Sequence, residues 1–226
     1  MVVIGDDPGV DWEQHVEREL QRYRDGDTRL PGETDRDARQ RQLTRMGNAA
    51  AGAALALLMA GRRDEAADWL ARAAERYRES FDDAPPGSWG RPIGMIKSRV
   101  LAGDWPAAEE EARFTLEHGA EEAESPIGRY AACLALLVLG RDTDARPLAD
   151  ALRTEDGFPH DVGDALATIA AGDRIGYVEA VESVLESFET RDAYLEDVPV
   201  ADTVIVLQAL AARRDLAAEL ESRLLP

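Results

Sequence analysis

Lysine is almost missing from this chain. Lys97 is the only one in 226 residues, and every other basic residue is arginine. Cysteine is as scarce. Cys133 stands alone in the apolar run ACLALLVL, which excludes a disulfide within the chain and any multi-cysteine metal site. With no histidine or basic residue close by to lower its pKa, that thiol reads as buried and structural. The three histidines, His15, His118 and His160, lie too far apart in sequence for a metal-ligand spacing. There is no glycine-rich phosphate loop, no GxSxG, no HExxH and no dinucleotide fingerprint. No cofactor, metal or catalytic residue is therefore expected, and an enzyme would need groups that converge only in space. The longest apolar run, Ala49 to Ala60, is too short to cross a bilayer. The opening MVVIGDDPGV lacks a basic segment and a long apolar core, so no signal peptide is expected. These absences predict a cytoplasmic protein without a membrane partner.

What is abundant is acid. Against 26 basic residues stand 45 acidic ones, for a formal net charge of -19 and a pI near 4.5. Binding to nucleic acid relies on neutralising phosphates, so this balance argues against it. The carboxylates are spread over the whole chain, which favours adaptation to a high-salt cytoplasm. The functional alternative is an acidic mask that attracts a basic partner. The hydrophobic fraction of 45% is ordinary for a folded protein, and the length suits one domain over 1–226.

Residues 55–77, LALLMAGRRDEAADWLARAAERY, set the pattern. An apolar run meets a glycine and a charged turn, then a second run with Ala66, Trp69, Leu70, Ala73, Ala74 and Tyr77 on one face. That is a helical hairpin. The turn recurs at Gly103, Gly140 and Gly172, and in degenerate form as Arg213-Arg214-Asp215-Leu216. The glycines lie 42, 37 and 32 residues apart, unequal steps for a regular solenoid. Glycine suits each stop because its backbone accepts the left-handed cap conformation. Asp11 is placed to cap a helix over DWEQHVERELQRYR, and residues 25–37, with Gly26, Pro31 and Gly32, read as a loop. A long helix from about Asp37 to Ala60 follows, its alanine-rich second half suited to the centre of a bundle. Pro147 predicts that the helix after Gly140 starts late, near Ala145. The β-branched run Thr203 to Val206 has no strand to pair with, so residues 200–226 are expected to form a last helical hairpin. The expectation is an all-α protein of stacked antiparallel hairpins, roughly ten helices and no sheet. Residues 1–36 supply an N-terminal helix and polar loop, and 37–226 the hairpins.

Candidate contact residues fall in two places. The break DDAPPGSWGRP carries Trp89 and Arg91, residue types enriched in binding hot spots. A tryptophan folded back as a plug over the next hairpin is the competing reading. The second place is an acidic run, Glu109, Glu110, Glu111, Glu121, Glu122 and Glu124. Consecutive glutamates on one helix diverge, so a metal site is not expected there, and a solvated face is the simplest reading. Trp69 and Tyr77 read as core.

The segment LLMAGRRDEAADWLARAAERY resembles the tetratricopeptide repeat, whose period is about 34 residues. Residues 187–226, with the turns LLVLGRD and LAGDWPAAEEEA, resemble the Imm49 family of bacterial polymorphic-toxin immunity proteins. That resemblance implies a cytosolic protein that binds and blocks a toxin, and it supplies no catalytic residues. The expected function is thus non-catalytic protein binding, with a basic toxin domain as partner. The alternative is a general helical-repeat adaptor or scaffold, as monomer or homodimer.

Overall fold

A computed structural model describes residues 10–226, so the opening MVVIGDDPG, on which the signal-peptide expectation rests, lies outside the described residues. Within them the chain is all-α, with ten α-helices and no strand. A first helix, α1 (Trp12–Arg29), leads through a 3-10 turn into α2 (Arg36–Met59). Then come α3 (Arg63–Phe81), α4 (Gly90–Leu101), α5 (Trp105–Glu117), α6 (Pro126–Val138) and α7 (Asp142–Leu152). The last are α8 (His160–Ala171), α9 (Arg174–Glu189) and α10 (Asp202–Ala212). Consecutive helices from α1 to α9 pack on one another as antiparallel neighbours. In addition α2 touches α4 and α4 touches α6, so these three form an inner layer with α3, α5 and α7 outside it, and α10 joins α8 to the layer by touching both α4 and α8. Alanine at Ala49, Ala50, Ala53, Ala54 and Ala56 lets neighbours close in on α2 from all sides, and each is fully buried.

The glycine turns are Schellman caps. Gly61, Gly103, Gly140 and Gly172 all have φ between 67 and 76 degrees. After each, a backbone N–H reaches the carbonyl five residues back, as in Arg62 to Leu57 (2.9 Å) and Asp173 to Thr168 (3.0 Å). The degenerate fifth turn keeps the same bond, Leu216 to Ala211 at 3.0 Å, with Asp215 in the left-handed region at φ 58 degrees.

Three boundaries differ from the sequence-based expectation. Residues 25–29 are helical rather than loop, because Gly26 does not end α1. It gives α2 room, since a Cβ there would sit 2.5 Å from Cγ of Met46. Helix α7 begins at Asp142, not near Ala145, and carries Pro147 in its interior. One lost backbone bond is offset by the full burial of Ala145, Ala149 and Leu152. The third difference is larger. Helix α10 has no helical partner after its turn, and residues 216–226 run without regular structure. The Gln208 side chain takes both backbone groups of Ala218, donating to its carbonyl (2.7 Å) and accepting from its N–H (3.0 Å). The Leu224 carbonyl accepts from the Ala201 N–H at 3.0 Å, and Leu216 and Leu224 are buried. Those tertiary bonds replace the helical ones.

Helix α10 itself is buried along Val204, Val206, Leu207, Leu210 and Ala211. It packs on α4, α8 and α9, so the chain's own C-terminal helix lies against the inner layer. The segment leading to it returns to the start of the stack, where Val198 and Val200 join Val16, Leu55 and Leu70 in one apolar cluster.

Candidate binding groove

Helices α2 and α4 each offer a stripe to the space between them. From α2 come Thr44, Asn48, Ala51 and Leu55, and from α4 come Gly90, Arg91, Gly94, Lys97, Ser98 and Leu101. Steps of three and four residues keep each set on one helix face. Tyr77 of α3, Ile93 of α4 and Asp202 of α10 complete a cavity of about 280 Å³. The α4 stripe runs over twelve residues, Gly90 to Leu101, about 16 Å at helical rise.

Tyr77 is wedged between two glycines. A Cβ on Gly47 would lie 2.8 Å from Cδ1 and Cε1 of the ring, and one on Gly94 would lie 2.7 Å from Cε2. The hydroxyl donates to Oδ1 of Asn48 at 2.8 Å, and Nδ2 of Asn48 donates to Oε1 of Glu196 at 3.0 Å. Glu196 pairs in turn with Arg22, which also reaches the fully buried Glu19 at 2.7 Å. Arg18 bonds both Glu19 (2.8 Å) and the Glu196 carbonyl (2.6 Å). This network holds Glu196 at φ 55 degrees, a strained left-handed conformation for a residue with a side chain. Burial, with Glu196 and Asp202 nearby, pushes the Tyr77 hydroxyl above the ordinary tyrosine value.

Lys97, the single lysine, pairs with Asp202 and donates to Oγ1 of Thr203 at 3.1 Å. Burial alone would lower its pKa, and the Asp202 carboxylate overcomes that, so the ammonium sits above the usual lysine range. Arg91 is different. Its guanidinium bonds the Gln40 side-chain oxygen and Oγ of Ser80 (3.0 Å), both neutral groups on buried residues. No carboxylate pairs with it among the described residues, and burial lowers its pKa. Gln40 is oriented by donating to Asp37 at 2.8 Å, and Ser80 by donating to the Tyr77 carbonyl at 2.9 Å. The groove therefore contains locked pairs and one positioned cation without a counter-ion. Both the Lys97 ammonium and the Tyr77 hydroxyl are shifted up, away from the neutral pH range.

The residues nominated by sequence scatter. Arg91 lines the groove. Trp89, two positions earlier, turns to Phe81 (ring centroids 6.5 Å apart) and to Gly128, where a Cβ would meet its Nε1 at 2.9 Å. Glu111 does not face solvent. It is buried against Arg78 and lies 3.9 Å from Arg99, and burial raises its pKa despite Arg78. Glu109 pairs with Arg113 (3.0 Å) and Arg213 (3.7 Å), and Glu121 with Arg141 (3.4 Å). Glu110, Glu122 and Glu124 are exposed without a cationic partner among the described residues. Sequence reasoning passed over Lys97, Asp202, Asn48 and Glu196. The usable signal was Lys97, a lysine retained in a chain that otherwise excludes lysine.

Cys133 and His118 also lie away from the groove. Cys133 is fully buried, and burial pushes its thiol up to about 12. His118 stacks on Phe114, with ring centroids 3.9 Å apart, and its Nδ1 lies 2.7 Å from the Phe114 carbonyl. Among the described residues no three His, Cys, Asp or Glu side chains are grouped to hold a metal, and no helix is long and apolar enough to cross a membrane. No protein-family model, curated protein or solved structure matches the chain.

Proposed function

We propose that the chain is a non-catalytic binding protein whose acidic outer face docks a basic protein, in the manner of an immunity protein that neutralises a toxin. The observation that carries this reading is a set of carboxylates left without cationic partners among the described residues. Glu110 and Glu117 lie two turns apart on α5, and Glu122 and Glu124 follow in the next loop, all exposed. Neighbouring acids in the same stretch are already neutralised by arginines or buried. Unpaired carboxylates repel one another and add nothing to the fold. A basic surface would relieve that repulsion, and its approach would be steered over about a Debye length.

The test is rescue. Each open reading frame adjacent to this gene is expressed with and without the protein, and growth is scored. The reading expects one neighbour to be toxic alone and harmless in company. Rescue should be lost in the quadruple variant Glu110→Gln/Glu117→Gln/Glu122→Gln/Glu124→Gln, with an association rate that falls as salt rises. No toxic neighbour, or full rescue by that variant, sinks it.

A further inference from the structure

We infer that the groove between α2 and α4 is a site for a small amphipathic carboxylate, its acid group on Arg91 and its apolar tail along the helices toward Leu55 and Leu101. Arg91 is held by Gln40 and Ser80, each fixed by a further hydrogen bond, so its position is set before any ligand arrives. Both partners are neutral, and Nη1 makes no hydrogen bond to the described residues. A half-buried guanidinium without a counter-ion is costly, and a carboxylate is the group whose geometry it matches with paired hydrogen bonds. Helix α4 adds to the same end, because it starts at Gly90 without a capping side chain, and Gly90 and Arg91 both line the cavity.

Charge elsewhere in the groove does not oppose this. Asp202 is neutralised by Lys97 and Glu196 by Arg22, so the open cation sets the local sign although the whole chain is acidic. Beyond Arg91, apart from the polar groups already bonded to one another, the walls offer Ala51, Leu55, Ile93 and Leu101, which ask for hydrocarbon. Size follows from volume. An engineered apolar cavity of about 150 Å³ accepts benzene, so a groove of about 280 Å³ suits roughly eleven non-hydrogen atoms. A straight-chain acid of eight to ten carbons has that size and fits a slot about 16 Å long. This site is independent of the acidic face on α5, and either can fail without the other.

The experiment is calorimetric titration of the full chain with octanoate, 1-octanol and octylammonium, in buffer of at least physiological salt. Octanoate should bind at least tenfold more tightly than octanol, and octylammonium should give no saturable heat. Arg91→Gln should cut octanoate affinity at least tenfold and leave octanol unchanged. Ala51→Leu, which fills the slot while keeping the cation, should weaken both, with circular dichroism confirming that each variant is folded. Equal affinity for octanoate and octanol, or an Arg91→Gln variant that binds octanoate like the parent, overturns the assignment. Absence of any octanoate binding at millimolar concentration overturns it as well.

Discussion

Replacing Gly94 by alanine should destabilise this protein, although Gly94 lies inside a helix. Exposed helix interiors gain about 1 kcal/mol from glycine to alanine, so propensity alone predicts a more stable variant. The structure reverses the sign. The new Cβ would fall 2.7 Å from Cε2, 2.8 Å from Cδ2 and 3.0 Å from Cζ of Tyr77, all inside contact distance. The ring cannot retreat, since Gly47 approaches its other edge equally closely and its hydroxyl is bonded to Asn48 at 2.8 Å. Overpacking of this kind costs about 1–3 kcal/mol. The net expectation is a loss of up to about 2 kcal/mol, a fall in Tm of up to roughly 8 °C for a chain of this size. Urea and thermal unfolding followed by circular dichroism read it directly. The control is the Tyr77→Leu background, where the clash is gone and Gly94→Ala should become neutral or stabilising. A double-mutant cycle then gives a coupling of at least 1 kcal/mol between the two positions. If Gly94→Ala stabilises the parent, or if the cycle shows no coupling, the wedge does not exist as described.

Three further outcomes concern other side chains. Lys97→Met leaves Asp202 without its counter-charge in a site where both side chains are 16% exposed, and should cost about 3 kcal/mol, with Lys97→Met/Asp202→Asn recovering more than half of it in urea titrations. Asp215→Gly should raise the urea midpoint by about 0.5–1 kcal/mol of stability, because Asp215 occupies the left-handed cap position at φ 58 degrees; a lower midpoint would contradict the cap assignment. His15 has its pKa lowered from 6.5, first by burial and then by Arg18, and its Nδ1 has no hydrogen-bond partner. The unfolded chain therefore binds this proton more readily, so His15's contribution is complete above pH 6.5 and is lost as pH falls through the lower folded value. Tm measured from pH 7 to pH 5 should fall, and His15→Gln should flatten part of that fall.

The hairpin turns were legible because the signal is local. A glycine after an apolar run is needed wherever a helix ends in a left-handed residue, and Gly61, Gly103, Gly140 and Gly172 meet that need within six residues of chain. Gly26 has the same letter and the opposite role, because Met46, twenty residues on, decides it. The groove was illegible for the same reason. Its two stripes, 44–55 and 90–101, each look like a helix face turned to the core, and only the stacking reveals that they face each other around a space. Residues 216–226 misled most. Leucine, alanine and glutamate favour helix, and nothing in their order shows that Gln208 will claim the backbone of Ala218.

That unwound tail bears on where ligands can go. A stack of helical hairpins normally leaves its inner layer open as a broad surface. Here α10, apolar on every face that touches the stack, lies against α4 and α8, and Gln208 with the buried Leu216 and Leu224 ties it down. A protein-sized partner is thereby excluded from that part of the inner layer unless α10 leaves, and leaving would expose Val204, Val206, Leu207 and Leu210 together. At roughly 2 kcal/mol for each such side chain, that is a cost of about 8 kcal/mol before any binding energy is recovered. That cost fits the two proposals together: the basic partner would dock on the outer face, where the unpaired carboxylates stand, and the carboxylate ligand beside Arg91.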